Sequence, residues 1–369
     1  SYPDYLCFST AVNTACYLRL PSAKDKAEDV IRLFKPILED QNKVLISNDV
    51  KDDIIWLRRA GVEILNKIFD VKIAHYVLQP DSSHELERVA LEMLNYRLIK
   101  GDNTENPQLS LFPDEGAKKD KDFAERTDIL FRLKEKLEEA LQEVGLYKLY
   151  EEIEMPLVSV LADMEYEGVS IDKVALDELS EDLKIRIAET EKIIYEMAGK
   201  EFNISSPKQL GEILFDQMNI DSGNKKTKTG QYSTSEQVLS KLEDAHPIVG
   251  HILNYRGLKK LLTTYAEALP TYIDPATGKI HTHFNQAEAA TGRLSSLNPN
   301  LQNIPIRTAE GRNIRKAFIT GDPDYGFFSA DYSQVELRLM AHLSGTPELI
   351  NAFLKGEDVH AATASKIYH

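Results

Sequence analysis

The sequence predicts an α/β unit in its first part and a second, mainly helical unit that begins near Glu151. In the first unit, short apolar runs alternate with segments of helical spacing, a pattern typical of α/β domains. Long amphipathic segments dominate the second unit, and short strand-like runs separated by polar loops follow them. The length of 369 residues agrees with two to three domains, since domains contain roughly 150 residues each.

Periodicity and turn residues predict the elements of the first unit. Ile31, Phe34 and Leu38 recur at helical spacing, and Asn13-Thr14 between two apolar runs indicates a hairpin. A later cluster of Asn, Asp, Pro and Gly predicts a loop. The predicted strands are 6–11, 15–20 and 43–47, the predicted helices are 27–38, 52–60, 83–98 and 124–144, the loop is 101–121, and 73–78 is ambiguous.

Capping residues predict where the helices of the second unit begin and end. Gly168 is typical of a helix C-terminus, Asp172 of an N-cap, and Ser206-Pro207 of a helix start. The Gly-, Asn- and Lys-rich segment 222–232 predicts a flexible basic tip. The helices predicted with both ends are 155–167, 173–198, 247–269 and 333–343. Two more helices are predicted from their first residues, one starting at 206–207 and one capped at 233–235. The predicted strands are 279–284, 292–295 and 327–330.

The composition is that of a globular protein. Hydrophobic residues make up 42% and charged residues 28%, which excludes a disordered, collagen-like or membrane-embedded chain. The sequence has neither an apolar run of about 20 residues nor a secretory signal, so we expect a cytosolic protein. Cys7 and Cys16 form no disulfide framework and no metal-binding spacing. Because the chain starts at Ser1 within a predicted strand, we expect it to be an excised piece.

Positive charge is concentrated in two islands of an otherwise acidic chain. The net charge is −15, which by itself argues weakly against a polyanionic partner. Residues 222–260 and 291–319, however, each carry a net charge of +4. Such islands are typical of a groove that binds an anion, and equally of solvated helix faces.

Asp331 follows the apolar run 327–330 and precedes a predicted helix. A carboxylate at a strand end is a rigid, hard oxygen ligand that suits Mg²⁺. Ser333 and Glu336 have the spacing of a capping box, which explains both residues without a functional role. Asp331 itself could equally be a turn residue.

Two further segments are rich in hydrogen-bond donors. Residues 291–307 contain Arg, Ser, Asn and Gln side chains that contact phosphates, sugars and minor-groove acceptors in nucleic-acid-binding proteins. Arg256 and Lys260 lie four residues apart on a predicted helix and therefore share one face. A polar loop and an exposed basic face are the simpler interpretations of these two segments.

Residues 154–367 resemble the polymerase region of bacterial family A DNA polymerases. Several motifs in the expected order make the resemblance specific, and residues 1–150 resemble the proofreading exonuclease domain more weakly. The motifs are DYSQVELR at 331–338, TGRLSS at 291–296, PNLQNIP at 299–305, YRGL at 255–258, DVH at 358–360 and STSE at 233–236.

The resemblance implies an RNase-H-like exonuclease-type domain at 1–150, an α-helical thumb at 151–275 and the first part of an α+β polymerase palm at 276–369. Asp331 would be the first catalytic carboxylate and, with the Tyr332 carbonyl, a ligand of two Mg²⁺ ions. Primer–template DNA and a dNTP would be the partners. The implied nucleotide-binding residues are Tyr332, Glu336, Arg307 and His360, and the implied DNA-binding residues are Arg293, Gln302, Asn303, Arg256, Lys260, Lys225, Lys226 and Lys228.

Two departures from the family pattern lead to further expectations. The sequence ends at His369, before the family's fingers helix and second catalytic carboxylate, so we expect no polymerisation by this chain alone. In the exonuclease motifs Asp53 and Asp70 match the family, and Asp49 stands where Asn is usual. When the third motif is aligned so that it ends at Asp128, Arg126 stands where the family has a metal-binding Asp, and Asp122 stands where it has a Tyr. Because a cation repels a metal ion, we expect no 3′→5′ degradation.

The leading hypothesis is therefore part of a DNA-directed DNA polymerase that acts in DNA replication and repair. A non-catalytic DNA-binding module and an RNase-H-like 3′→5′ exonuclease remain the alternatives. We expect a monomer in the bacterial cytosol or nucleoid, without membrane contact.

Overall fold

The computed structural model describes residues 2–99, 115–220, 232–306 and 308–356, with the backbone alone for 115–122. The chain forms two compact units, divided between Ile319 and Thr320. Within the described residues, no helix is both long and apolar enough to cross a bilayer.

The described residues contain short strands and many helices. The strands are β1 (Tyr5–Ala11), β2 (Thr14–Arg19), β3 (Val44–Ser47), β4 (Lys67–Asp70), β5 (Ser170–Ile171), β6 (His283–Asn285), β7 (Ser295–Leu297) and β8 (Phe318–Ile319). The helices are α1 (Lys24–Arg32), α2 (Lys35–Leu38), α3 (Val50–Arg59), α4 (Val71–Leu78), α5 (Leu86–Leu94), α6 (Glu115–Glu143), α7 (Tyr147–Leu149), α8 (Met155–Glu167), α9 (Lys173–Ala198), α10 (Pro207–Gly211), α11 (Glu236–Leu239), α12 (Pro247–Leu261), α13 (Ala309–Lys316), α14 (Val335–Ser344) and α15 (Pro347–Leu354).

The N-terminal region packs α6 against a hairpin and a parallel strand pair. β1 pairs with β2 in antiparallel fashion, and β3 pairs with β4 in parallel, with Val44 opposite Lys67. On α6 the residues Leu133, Leu137 and Leu141 recur every fourth position and are fully buried. This spacing places them on one helix face, which forms part of a core shared with α3, α4, α5 and α8.

A second core lies between the long helices α9 and α12. Asp172 caps α9 by accepting a hydrogen bond from the Ala175 amide at 3.0 Å, as its sequence position predicts. Leu176 and Leu183 of α9 are completely buried in a cluster that also contains Ile252 of α12. Helix α12 is the element that carries the predicted cationic motif.

Small antiparallel pairs connect the helices to the polar loops. β5 pairs with β8, and β6 pairs with β7 so that Phe284 lies opposite Ser296. The hydroxyl of Ser296 is fully buried and lies 2.7 Å from that of Thr282. It also accepts a hydrogen bond from the Leu301 amide at 3.0 Å. The second serine of the TGRLSS motif therefore stabilises the loop from within.

Most predicted elements of the first compact unit are confirmed, with differences at their boundaries. The helix predicted at 27–38 is divided into α1 and α2, and the ambiguous segment 73–78 belongs to α4. Strand β4 was missed, because its four residues KIFD include a charge at each end. The loop predicted at 101–121 is wrong from residue 115, where α6 begins. The strands predicted at 279–284 and 292–295 are shifted to β6 and β7.

The strand predicted at 327–330 is wrong. No strand occurs among residues 320–356, and Phe327 and Phe328 are 67% and 92% exposed. A strand needs a neighbouring strand for its backbone hydrogen bonds, and the described part of this unit offers none. Leu339 and Leu343 of α14 are likewise exposed.

The capping box predicted from Ser333 and Glu336 is also wrong. Helix α14 begins at Val335, and its N-cap is Gln334, which has a left-handed φ of 53° and makes no side-chain capping hydrogen bond. The left-handed residue turns the backbone between Ser333 and the helix, so the serine lies outside the N-cap position. Arg338 instead donates a hydrogen bond to the Ser333 carbonyl at 2.9 Å.

Candidate nucleic-acid interface

An open groove of about 650 Å³ lies beside the cationic face of α12. Lys259 and Lys260 are both exposed at its edge, and Arg256 lies one turn before Lys260. The structure thus confirms that Arg256 and Lys260 share a face. The groove lining consists of Ser205, Pro207, Tyr232, Ser233, Thr234, Ser235, Tyr255, Arg256, Lys259, Lys260, Thr263 and Thr264.

Arg256 is bonded within the protein rather than fully presented to solvent. Its guanidinium donates to the Thr234 carbonyl and, at 3.2 Å, to the Thr234 hydroxyl. Burial lowers the pKa of Arg256. The guanidinium therefore holds the STSE motif against α12, while Lys259 and Lys260 supply the exposed charge of the groove.

The TGRLSS and PNLQNIP motifs form one polar surface. Arg293 is exposed, and the Gln302 side chain donates a hydrogen bond to the Leu294 carbonyl at 3.0 Å. Asn300, which was not predicted as a site residue, accepts hydrogen bonds from the amides of Gln302 at 3.0 Å and Asn303 at 3.3 Å. The Gln302 side chain therefore joins the two motifs at the residue that follows Arg293, and Asn300 shapes the turn that carries Gln302 and Asn303. Its position inside PNLQNIP was the only sequence signal for this role.

Asp331, Tyr332 and Glu336 belong to the second compact unit, and all three are exposed. Tyr332 is 83% exposed, and Glu336 lies in the first turn of α14. The packing that the structure gives this unit is between α14 and α15, where the Arg338 guanidinium lies 4.6 Å from the centre of the Phe353 ring.

Some predicted residues lie outside the described part of the chain. These are Lys225, Lys226, Lys228, Arg307, His360 and the side chain of Asp122.

One group of side chains in the described residues has the spacing of a metal site. The donor atoms of Asp52, Glu165 and His283 all lie within 4.8 Å of one another. The ammonium group of Lys51 already supplies a cation there, because it forms a buried ion pair with Glu165 and lies 3.1 Å from His283 Nδ1. The Phe284 amide donates a further hydrogen bond to Glu165 at 2.6 Å. The cluster therefore joins α3 to α8 and β6 as a structural ion pair.

The exonuclease-motif carboxylates Asp53 and Asp70 accept hydrogen bonds from the protein itself. Asp53 accepts from the Ser47 hydroxyl at 2.8 Å and from the Trp56 indole at 3.2 Å. Asp70 caps α4 and accepts from the Val50 amide at 2.7 Å. Burial raises the pKa of Asp53 to about 6 and that of Asp70 to about 7, so both bind protons more readily than free carboxyl groups.

Asp49 and Arg126, two further residues of the exonuclease motifs, form ion pairs. The ammonium nitrogen of Lys72 lies 2.7 Å from a carboxylate oxygen of Asp49, and Arg126 pairs with Glu87 of α5. One carboxylate oxygen of Asp128 is buried without a hydrogen-bond partner. The ammonium group of Lys72 therefore lies beside an acidic residue of the exonuclease motifs, whereas Arg126 is paired with an acidic residue outside them.

Comparisons with known proteins match two parts of the chain to two different profiles. Residues 173–369 match the profile of DNA polymerase family A, and residues 4–142 match that of a 3′-5′ exonuclease. DNA polymerase I of Geobacillus stearothermophilus is 42% identical over 91% of this chain and 38% of its own length. The thermostable DNA polymerase I of Thermus thermophilus is 46% identical over 67% of this chain and 30% of its own length.

A solved structure, the POL domain of Pol1 from M. smegmatis in complex with DNA primer-template and dNTP, aligns with a TM-score of 0.78 and 32% identity. The alignment covers 95% of this chain and 58% of that domain. The chain spans about two fifths of the length of the Geobacillus stearothermophilus relative. Because the polymerase profile matches more than half of its residues, the chain belongs to the family A DNA polymerases.

Proposed function

We propose that the chain is part of a DNA polymerase I that adds dNTPs to a primer 3′-hydroxyl under the direction of a template, in DNA replication and repair. The likeness to a polymerase domain solved with primer-template DNA and dNTP is the observation that carries the proposal. Templated primer extension by the complete protein that contains these residues tests it, and failure to extend a primer would contradict it. We further propose that the protein is a monomer and acts in the cytosol or nucleoid.

The groove beside α12 is proposed to bind the phosphate backbone of the duplex. Lys259 and Lys260 are exposed at its edge, and hydroxyl groups of Ser and Thr line the rest. Such side chains contact phosphates in DNA-binding proteins and position the duplex without reading its sequence. Arg256 contributes by holding Thr234 in the groove wall. The basic segment with Lys225, Lys226 and Lys228 is proposed to contribute further phosphate contacts.

The Arg293 loop is proposed to contact the minor groove near the primer terminus. Arg293 is exposed, and Gln302 is bonded to the carbonyl of the residue that follows Arg293. Guanidinium and amide groups donate to the minor-groove acceptors N3 and O2, which every base pair presents. Recognition of these shared acceptors suits a polymerase, because the enzyme must bind primers of any sequence. Asn303 is proposed to support the same contact.

Asp331 and the Tyr332 carbonyl are proposed as ligands of Mg²⁺. Both supply oxygen donors, which this ion prefers, and Asp331 is exposed and therefore accessible. Bound magnesium would activate the primer hydroxyl and stabilise the charge of the leaving pyrophosphate. Glu336 is proposed to lie beside the sugar of the incoming nucleotide, and Arg307 and His360 beside its phosphates.

Replacing Lys259 and Lys260 together by alanine should weaken binding of primer–template DNA and reduce its salt dependence. Each lost phosphate contact lowers the slope of log K against log salt by about 0.9, so the slope should fall by about 1.8. Fluorescence anisotropy of a labelled duplex across a salt series measures this slope. The matched control is the pair Lys148→Ala and Lys192→Ala, which removes two exposed charges elsewhere. An unchanged slope in the α12 variant would show that this groove does not bind DNA.

A 3′→5′ exonuclease is the second candidate function, favoured by the profile match of residues 4–142. We expect no such activity, because Asp53 and Asp70 accept internal hydrogen bonds and Lys72 lies beside Asp49. The wild-type protein should leave a labelled single-stranded primer intact in the presence of Mg²⁺. The prediction would be contradicted if the wild-type protein shortened the primer and Asp53→Ala abolished that shortening. Asp81→Ala, which changes an acidic residue outside the motifs, is the control in the same assay.

A further inference from the structure

The loop that leads into Arg293, residues 285–292, is held by the N-terminal region of the same compact unit. Ala287 is 7% exposed and belongs to the hydrophobic cluster built by α3, α4, α5, α6 and α8. Gln286 is also buried and donates a hydrogen bond to the Glu154 carbonyl at 2.9 Å. The start of the loop is thus fixed by packing against the exonuclease-like region.

Tyr76 fixes the end of the loop. Its hydroxyl donates to the Ala289 carbonyl at 2.7 Å, and the same carbonyl accepts a hydrogen bond from the Gly292 amide at 3.1 Å. These two bonds converge on the turn that immediately precedes Arg293. Gly292 has a φ of +78°, so the turn uses a backbone conformation that favours glycine. The direction in which the chain reaches Arg293 therefore depends on this turn.

The Tyr76 ring is itself held rigidly. It is 5% exposed and packs edge-on against His84, with ring centres 5.5 Å apart and planes at 87°. Burial raises the pKa of the Tyr76 phenol, so the hydroxyl keeps its proton and donates at neutral pH. Four further residues of α4 are also buried: Val71, Ile73, Ala74 and His75.

We propose that Tyr76 is a positioning residue for DNA binding: its hydroxyl holds the Ala289–Gly292 turn and thereby orients Arg293 toward the primer–template. The inference rests on the proposed function of Arg293 and assigns the exonuclease-like region a role that does not require nuclease chemistry. The hydroxyl acts on the backbone of this turn alone, so its removal leaves the ring and its packing in place.

The test is a double-mutant cycle with Tyr76→Phe and Arg293→Ala in the complete protein that contains this chain. Loss of one such hydrogen bond should weaken primer–template binding about threefold to tenfold in the wild-type background. It should have no further effect when Arg293 is already alanine, because the two residues act in series. The matched control is Tyr96→Phe, which also removes a hydroxyl of the exonuclease-like region, here bonded to Glu125 at 2.6 Å.

Hydrogen exchange provides a second readout that a general loss of stability would not reproduce. Amide exchange at residues 286–296 should become faster in Tyr76→Phe and remain unchanged in Tyr96→Phe. Exchange in the N-terminal region should be unaffected in Tyr76→Phe. Unchanged affinity and exchange in Tyr76→Phe, or equal losses of affinity with and without Arg293, would overturn the inference alone. Failure of the wild-type protein to bind primer–template DNA would instead overturn the proposed function, and the inference with it.

Discussion

Replacing Lys51 by methionine should lower the free energy of unfolding by about 3–5 kcal/mol. Lys51 and Glu165 are 6% and 5% exposed, so the variant would leave the Glu165 carboxylate buried with no ammonium partner. Removing one member of a buried pair has a large effect because the desolvation cost of the other member remains. Urea denaturation followed by the fluorescence of Trp56, the single tryptophan, measures the change.

Two control variants separate this effect from a general loss of charge. Lys173→Met removes an exposed ion pair with Asp177 and should cost less than about 1 kcal/mol. Adding Glu165→Gln to Lys51→Met should restore much of the lost stability, since no buried charge then remains. A cost for Lys51→Met equal to that of Lys173→Met would show that the buried pair contributes no more than an exposed one.

The ion pair between Lys51 and Glu165 should stabilise the fold less in acid than at neutral pH. Burial alone would raise the pKa of Glu165, but hydrogen bonds from His283, Lys51 and the Phe284 amide outweigh burial and hold this pKa below its ordinary value of 4.5. A carboxyl group with a lowered pKa stabilises the fold fully above its unfolded pKa. Its contribution is lost as the pH falls through the lower folded value. The stability difference between wild type and Lys51→Met should therefore shrink in acid.

Asp331→Asn should lower the rate of templated primer extension by the complete protein by a factor on the order of 10³ or more. A metal ligand of this kind contributes several kcal/mol to stabilising the transition state, and each 1.4 kcal/mol corresponds to about tenfold in rate. Affinity for primer–template DNA should stay unchanged, because Asp331 is proposed to act on magnesium and not on the duplex. Single-turnover incorporation of one dNTP, with binding measured separately, distinguishes the two steps.

The matched control for Asp331 is Asp324→Asn, which neutralises another exposed acidic residue of the same compact unit. This variant should extend primers at the wild-type rate. Near-wild-type extension by Asp331→Asn would show that Asp331 is not a catalytic residue, and would not bear on the DNA-binding surface proposed for the first unit.

Local patterns predicted the helices well because their signals are contained in a few neighbouring residues. The limits of α8 and the Asp172 cap of α9 were predicted from Gly168, Asp172 and apolar spacing alone. The cationic face of α12 was predicted in the same way, since residues four apart on a helix always share a face. These features do not depend on the rest of the fold.

Features that depend on distant partners could not be predicted from the sequence. The run 327–330 has the apolar character of a strand, but pairing with another strand decides whether it becomes one. The contact between Arg256 and Thr234 and that between Tyr76 and Ala289 join residues far apart in the chain. Single side chains such as Asn300 carry no periodic signal, so their roles became visible only in three dimensions.

The cluster of Lys51, Glu165 and His283 has a consequence for how the family can diversify. The three residues come from distant parts of the chain, and the two buried charges, those of Lys51 and Glu165, are stable only as a pair. A substitution at only one of these two positions lowers the free energy of unfolding until a second substitution compensates for it. The buried pair therefore couples the sequence of α3 to that of α8, whatever chemistry the nuclease-like segment performs.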